Sequence, residues 1–237
     1  MLKALIFDVD GTLADTESAH RAAFNHAFAE EGLGWVWDES LYTELLNISG
    51  GKERMLHYWK ATRPGIVDLA GDGLRDTIAR LHELKTAAYE GMVNDGQVEL
   101  RPGVLELIMA AHQAGLALAI ATTTSPVNIA ALLRKAIGQD WRTFFSVVED
   151  ASTAPVKKPH PQVYLQTLQR MGLDASQCLA IEDSANGLQA ARAAGLATII
   201  TPNRFTQHHN FDGALRVLPD LQGTDVAQLQ AWHAHRG

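Results

Sequence analysis

At 237 residues, with 46% hydrophobic and 20% charged residues, the chain can bury a sizeable core and is too apolar to be disordered. Twenty Lys and Arg against 27 Asp and Glu give a formal net charge of −7, which argues against non-specific binding to nucleic acid or an anionic membrane surface, so any anionic substrate must meet a local basic pocket. The single Cys178 excludes an internal disulfide and suits a buried position in a reducing compartment; with no apolar run of membrane-spanning length and no leader pattern, the expected location is cytoplasmic.

The first predicted element is a strand over residues 3–8, running into DVDGT. In extended chain, residues two apart face the same side, so Asp8 and Asp10 converge beyond the carboxyl end of that strand, where open α/β sheets bind ligands. Taken alone, the pair also fits two solvated turn residues before Gly11. From residue 16 to about 95 the spacing is helical, in SAHRAAFNHAFAEEG, DESLYTELLN and GLRDTIARLHELKTAAYEGM. This predicts a helical domain at 16–94 inserted into a core of residues 1–15 and 95–237, with hinges at 14–17 and 91–97.

Within the insertion, Glu17 and His20 lie three apart on one helix face near the first hinge. ISGGKERML offers flexible Gly50 and Gly51 beside cationic Lys52 and Arg54, suited to closing on an anion, although Glu53 after the lysine excludes a Walker-type phosphate loop. His82 and Lys85 are three apart on a later helix. For any one of these, the competing reading is a solvated helix face or a satisfied histidine.

RPG at 101–103 opens the next core helix. Strands follow at 116–121, 144–148, 178–181 and 197–200, with helical stretches between the later ones. Their run-like apolar character predicts burial on both faces, hence an α/β fold with a Rossmann-like doubly wound parallel sheet. CLAIEDSANG repeats the grammar of the first strand, placing Glu182 and Asp183 at the same sheet edge. Converging carboxylates need a cation, and hard oxygen donors without nearby His or Cys point to Mg²⁺. Against this stands a reading in which Asp183 only caps a helix and Glu182 is a surface charge. His208, His209, His233 and His235, in hydrophilic segments near the end, read as solvated histidines without function.

Together, DVDGT, Thr122 ending the second strand in LAIATTTS, Lys158 in KKPHPQVY, and the Glu182–Asp183 pair resemble the haloacid dehalogenase superfamily of phosphoryl-transfer enzymes over nearly the whole chain. The resemblance implies that the insertion is the family's small α-helical cap. It implies that Asp8 is a nucleophile forming an aspartyl-phosphate and that Asp10 serves as general acid, then base. Thr122 and Lys158, in preference to Lys157, would bind the phosphoryl oxygens. Mg²⁺ would be held by Asp8, the Asp10 backbone carbonyl and Asp183, with Glu182 orienting its waters.

Asp10 argues against the dehalogenase and phosphonate-cleaving branches, the second of which would use a cap lysine such as Lys52 as a Schiff-base amine. The combination DTESAH, ISGGKER, HELK and TTTSPVN is similar to CbbY-type proteins, sugar-bisphosphate phosphatases associated with the Calvin cycle that act on xylulose 1,5-bisphosphate. On that resemblance Glu17 and His20 contact the sugar. Lys52, Arg54 and Lys85, with Ser125 and Asn128 of the core, read the polyol and the distal phosphate; Gly51, His82 and Thr123 complete the substrate-binding set. The implied partner is a small sugar phosphate bound by a monomer, with no nucleic acid or membrane. The alternatives are a β-phosphoglucomutase-like mutase, in which a hydrophobic residue often replaces Thr12, a phosphoglycolate-type phosphatase, and a non-catalytic sugar-phosphate binding protein.

Overall fold

Four consecutive apolar residues, Ala4–Phe7, form β1, and all four are buried because the sheet they centre is covered on both faces. The structure, a computed structural model, describes residues 1–62 and 72–235. The other strands are β2 (Ala117–Ala121), β3 (Val147–Glu149), β4 (Cys178–Glu182), β5 (Ala197–Ile200) and β6 (Arg216–Val217). They lie in the order β3-β2-β1-β4-β5-β6, and every pairing is parallel. The strand order reverses beside β1, so the crevice at its carboxyl end is the topological switch point of a doubly wound sheet.

The period-two alternation sorts the strand residues into unequal faces. Leu5, Phe7, Leu118, Ile120, Leu179 and Ile181 point into a large core shared with α5 (Val104–Gln113), α6 (Pro126–Ala136) and α9 (Val226–Ala234). Ala4, Ile6, Ala119, Ala121, Cys178 and Ala180 face α7 (Gln162–Met171) and α8 (Ala185–Ala193), where small side chains keep the layer thin. Cys178 is buried there, as its apolar flanks predict.

Between β1 and α5 the chain makes α1 (Glu17–Glu30), α2 (Glu39–Leu45), α3 (Gly51–Thr62) and α4 (Asp72–Asn94). Residues 63–71 of the segment read as helical lie outside the described residues. These helices enclose an aromatic core of their own, built from Phe24, Phe28, Trp35, Trp37, Tyr42 and Trp59 among others. The outgoing and returning segments touch where Ala14 bridges to both Asp10 and Leu100.

Three expectations need correction, and one strand was not anticipated. The strand read at 144–148 starts at Val147, because Trp141–Thr143 form a 3₁₀ turn and the buried Phe145 packs edge-on to Trp141. Strand β6 is two exposed edge residues with no apolar run to announce it. ISGGKERML is not a flexible loop from Gly51 on: Gly51 opens α3, and its missing side chain lets the helix approach His82 and Phe24, to which a Cβ would come within 3.2 and 3.3 Å. His233, read as solvated, is buried on the same face of α9 as Leu229 four residues earlier. No described helix is long and apolar enough to cross a membrane.

Candidate active site

Parallel pairing of Phe7 with Ile181 brings Asp8, just past β1, level with Glu182 at the end of β4, and the Asp8 N–H donates to the Ile181 carbonyl at 3.0 Å. One carboxylate oxygen from each of Asp8, Glu182 and Asp183 lies within 4.8 Å of the others, and all three side chains are buried. Lys158, ahead of α7, reaches into this cluster. Its Nζ donates to Asp8 Oδ1 at 2.7 Å, Glu182 Oε1 at 2.5 Å and the Ala121 carbonyl at 2.9 Å. The Thr12 hydroxyl donates to the other Asp8 oxygen at 3.2 Å.

Burial, opposed by Lys158 and reinforced by Glu182, raises the Asp8 carboxyl to about 7. Burial, then the charges of Glu182 and Asp8, push Asp183 well above the carboxylate range. Burial acts to lower Lys158, but Asp8 and Glu182 outweigh it and hold the ammonium above its ordinary value. Ionising all three carboxylates against one ammonium would leave two negative charges uncompensated, and the donors are hard oxygens. That is the charge and donor chemistry of a Mg²⁺ site, and Asp8, Asp183 and Glu182 fit it. Asp183 is not a helix cap: Ser184 takes that role, accepting the Gly187 N–H at 3.2 Å.

The Asp10 carboxylate turns away from the cluster toward the insertion. His20 Nε2 lies 2.9 Å from Asp10 Oδ1, and His20 Nδ1 lies 2.7 Å from Lys85 Nζ. Tyr89 stacks on the His20 ring at 4.1 Å between centroids. Burial acts to raise Asp10, yet His20 and Lys85 outweigh it and hold the carboxyl well below its usual range. Burial lowers Lys85 to about 8.

Every residue expected in the site borders one cavity of about 520 Å³. From the core come Asp8, Asp10, Thr122, Thr123, Ser125, Asn128, Lys158, Glu182 and Asp183; from the insertion come Glu17, His20, Gly51, Lys52, Arg54, His82 and Lys85. Several are already engaged. Glu17 accepts the Tyr42 hydroxyl at 2.6 Å. Arg54, expected to read substrate, is buried and donates to the Leu45 and Ile48 carbonyls and to the Tyr42 hydroxyl at 3.0, 3.2 and 3.2 Å, so its guanidinium braces the insertion. Ser125 caps α6, accepting the Asn128 N–H at 3.3 Å. Asn128 Nδ2 donates to Thr124, while its buried Oδ1 has no hydrogen-bond partner among the described residues. Lys52 is exposed at the cavity wall. Burial, then the charges of Lys85 and Lys52, lower the nearby His82 to about 4.

Sequence reasoning missed several members. Tyr164, the last residue of KKPHPQVY, donates to Glu182 at 2.5 Å; its fixed place after Lys158 was the available signal. Tyr42, Tyr89 and Asn203 belong to elements whose approach no local pattern announces. His209, read as solvated, borders the cavity and accepts the Ala185 N–H at 3.3 Å.

The haloacid dehalogenase-like hydrolase family matches residues 2–195. The CbbY protein of a Cupriavidus necator plasmid is 51% identical, with 98% of this chain and 97% of that one covered. The crystal structure of a CbbY variant from Rhodobacter sphaeroides in complex with xylulose-(1,5)bisphosphate superposes with a TM-score of 0.89 at 40% identity, covering 97% of this chain and 99% of that one. A β-phosphoglucomutase from Clostridium difficile, at 21% identity and a TM-score of 0.75 over 99% of this chain and 98% of that one, shares the fold. The chain therefore belongs to the haloacid dehalogenase-like hydrolases, among the CbbY-type phosphatases.

Proposed function

We propose that the protein is a Mg²⁺-dependent phosphatase of a sugar bisphosphate, with xylulose 1,5-bisphosphate as the expected substrate, and that residues 16–94 act as a specificity cap over a core of 1–15 and 95–237. One observation carries this reading. Asp8, pinned by Lys158, shares its cavity with cationic and polar groups from the insertion, Lys52, His82 and Lys85. A cavity with a phosphoryl-accepting carboxylate from the core and positive charge from the insertion suits a substrate phosphorylated at both ends. The xylulose-(1,5)bisphosphate complex of the Rhodobacter sphaeroides relative supports the same substrate.

In this reading Asp8 attacks phosphorus in line. The bond from its carboxylate oxygen to phosphorus forms as the bond to the sugar oxygen breaks; Asp10 must enter this step protonated, against the pull of His20 and Lys85 in the free protein, and gives that proton to the leaving alkoxide. Asp10 then takes a proton from water, whose oxygen attacks the aspartyl-phosphate, releasing inorganic phosphate and restoring Asp8. The His20 Nε2–H, 2.9 Å from Asp10, is the donor placed to hold that carboxylate in line. The Thr122 hydroxyl and Lys158 ammonium stabilise the phosphoryl oxygens as charge shifts onto them. When bound by Asp8, Asp183 and the Asp10 carbonyl, with Glu182 beside them, Mg²⁺ supplies the positive charge that offsets repulsion between nucleophile and phosphate.

The test is kcat/KM with Mg²⁺ for xylulose 1,5-bisphosphate, ribulose 1,5-bisphosphate, phosphoglycolate and β-glucose 1-phosphate. Xylulose 1,5-bisphosphate is expected to lead, with inorganic phosphate as product. A lead for phosphoglycolate, or glucose 6-phosphate among the products, would overturn the assignment.

A further inference from the structure

We propose that Asn203 is a positioning residue that orients the Asp183 carboxylate and, through the same side-chain amide, seats Phe205 in the aromatic core of the insertion, coupling metal binding to docking of the insertion. This rests on Asp183 being a metal ligand, as proposed above.

The two halves of the Asn203 amide do different things. Its Nδ2 donates to Asp183 Oδ2 at 2.8 Å, and its Oδ1 accepts the Phe205 N–H at 2.8 Å. The amide plane has little freedom, because the Asn203 backbone is tied into a tight turn. Its N–H donates to the Thr206 hydroxyl at 3.0 Å, and its carbonyl accepts from Thr206 and Gln207 at 3.0 and 2.9 Å. Gly11, of DVDGT, makes room for the pair: at φ +76°, a Cβ there would stand 2.5 Å from both Asn203 Nδ2 and Asp183 Oδ2.

Phe205 follows β5 and so belongs to the core in sequence, yet it is 3% exposed and packs within the insertion's aromatic cluster. It meets Tyr42 edge-on at 6.0 Å, and the Tyr42 hydroxyl in turn donates to Glu17 and accepts from Arg54. A contiguous set of contacts thus runs from the Asp183 carboxylate through Asn203 and Phe205 to a residue lining the substrate cavity. Shifting either end breaks a hydrogen bond at the Asn203 amide. A residue that only shaped the loop would leave metal affinity indifferent to Phe205, which packs in the insertion's aromatic cluster against Tyr42.

The experiment measures Mn²⁺ affinity of the substrate-free protein by electron paramagnetic resonance, apart from turnover. Asp183→Asn tests the metal assignment itself: retained affinity there overturns that assignment. With it standing, Asn203→Ala is expected to weaken Mn²⁺ binding by about tenfold or more. Phe205→Ala is expected to weaken it by about fivefold, and the double variant by no more than Asn203→Ala alone. Affinity within about 1.5-fold of wild type in Phe205→Ala, or effects that multiply in the double variant, overturns the coupling. If Phe205→Ala does not fold, Phe205→Leu carries the test. Shifted emission from Trp35, Trp37 and Trp59 with weakened Mn²⁺ binding supports the proposal, and shifted emission with unchanged binding overturns it.

Discussion

His20 bridges Asp10 and Lys85, with Nε2 2.9 Å from the Asp10 carboxylate and Nδ1 2.7 Å from the Lys85 ammonium. An ammonium has protons and no lone pair, so Nδ1 accepts from Lys85 and the ring proton sits on Nε2, donated to Asp10. One imidazole therefore ties the core carboxylate to the insertion. Substituting it should affect chemistry more than binding. His20→Ala is expected to lower kcat by about 10²-fold, within the usual range for a general acid–base arrangement. It should also move the Asp10-dependent limb of the pH–rate profile upward, because the His20 contact is the strongest of the influences that hold the Asp10 carboxyl down. An unchanged limb in pH-resolved kinetics would remove His20 from that role.

Gly187 supplies a steric test of Glu182. A Cβ at Gly187 would overlap the Glu182 carboxylate, which is fixed by Lys158 and Tyr164 at 2.5 Å each and cannot swing without abandoning both. Gly187→Ala is expected to keep α8, since alanine favours helix, yet weaken Mg²⁺ binding by about tenfold. Isothermal titration with Mg²⁺, alongside circular dichroism, reads both effects.

Lys52 separates a second-phosphate contact from general substrate affinity. It is exposed on the first turn of α3 and borders the cavity. An exposed charge pair contributes about 1 kcal/mol at most, so Lys52→Ala should raise KM for a bisphosphate by about fivefold with little change in kcat. KM for a sugar monophosphate should stay nearly constant. Equal changes for both substrates would show that Lys52 does not meet the distal phosphate.

Much of the site was legible because strand ends impose it. Asp8 and Glu182–Asp183 each follow a short apolar run, and parallel register alone sets such residues side by side. The helical spacing of 16–94 was equally plain, since residues three and four apart must share a face. Long-range engagement was not legible. Nothing local to ISGGKER says that Arg54 will be spent on the Leu45 and Ile48 carbonyls, and nothing in TPNRFT says that Phe205 will join an aromatic core about 160 residues upstream. Those outcomes depend on which surfaces meet after the sheet has formed, and no residue period encodes that.

Metal binding should be visible in stability, with a definite pH dependence. The Asp8 carboxyl titrates near 7 in the folded protein against 3.8 as the ordinary value, chiefly through burial, and Asp183 shifts in the same direction. Between those limits the metal-free folded state holds a proton that the unfolded chain has released. Stability of the metal-free protein therefore falls as pH rises from about 4 to about 7. Mg²⁺ needs the ionised carboxylates and displaces that proton, so its stabilising effect grows through the same window. Saturating Mg²⁺, compared with EDTA, is expected to raise Tm only slightly at pH 5 and by about 5 °C or more at pH 8. Asp8→Asn removes one of the titrating groups and a ligand together, so it should flatten the window, shrink the pH 8 shift and abolish turnover. Scanning fluorimetry at both pH values checks all of this except turnover. Equal Mg²⁺ shifts at pH 5 and pH 8 would mean that the buried carboxylates are not where the ion binds.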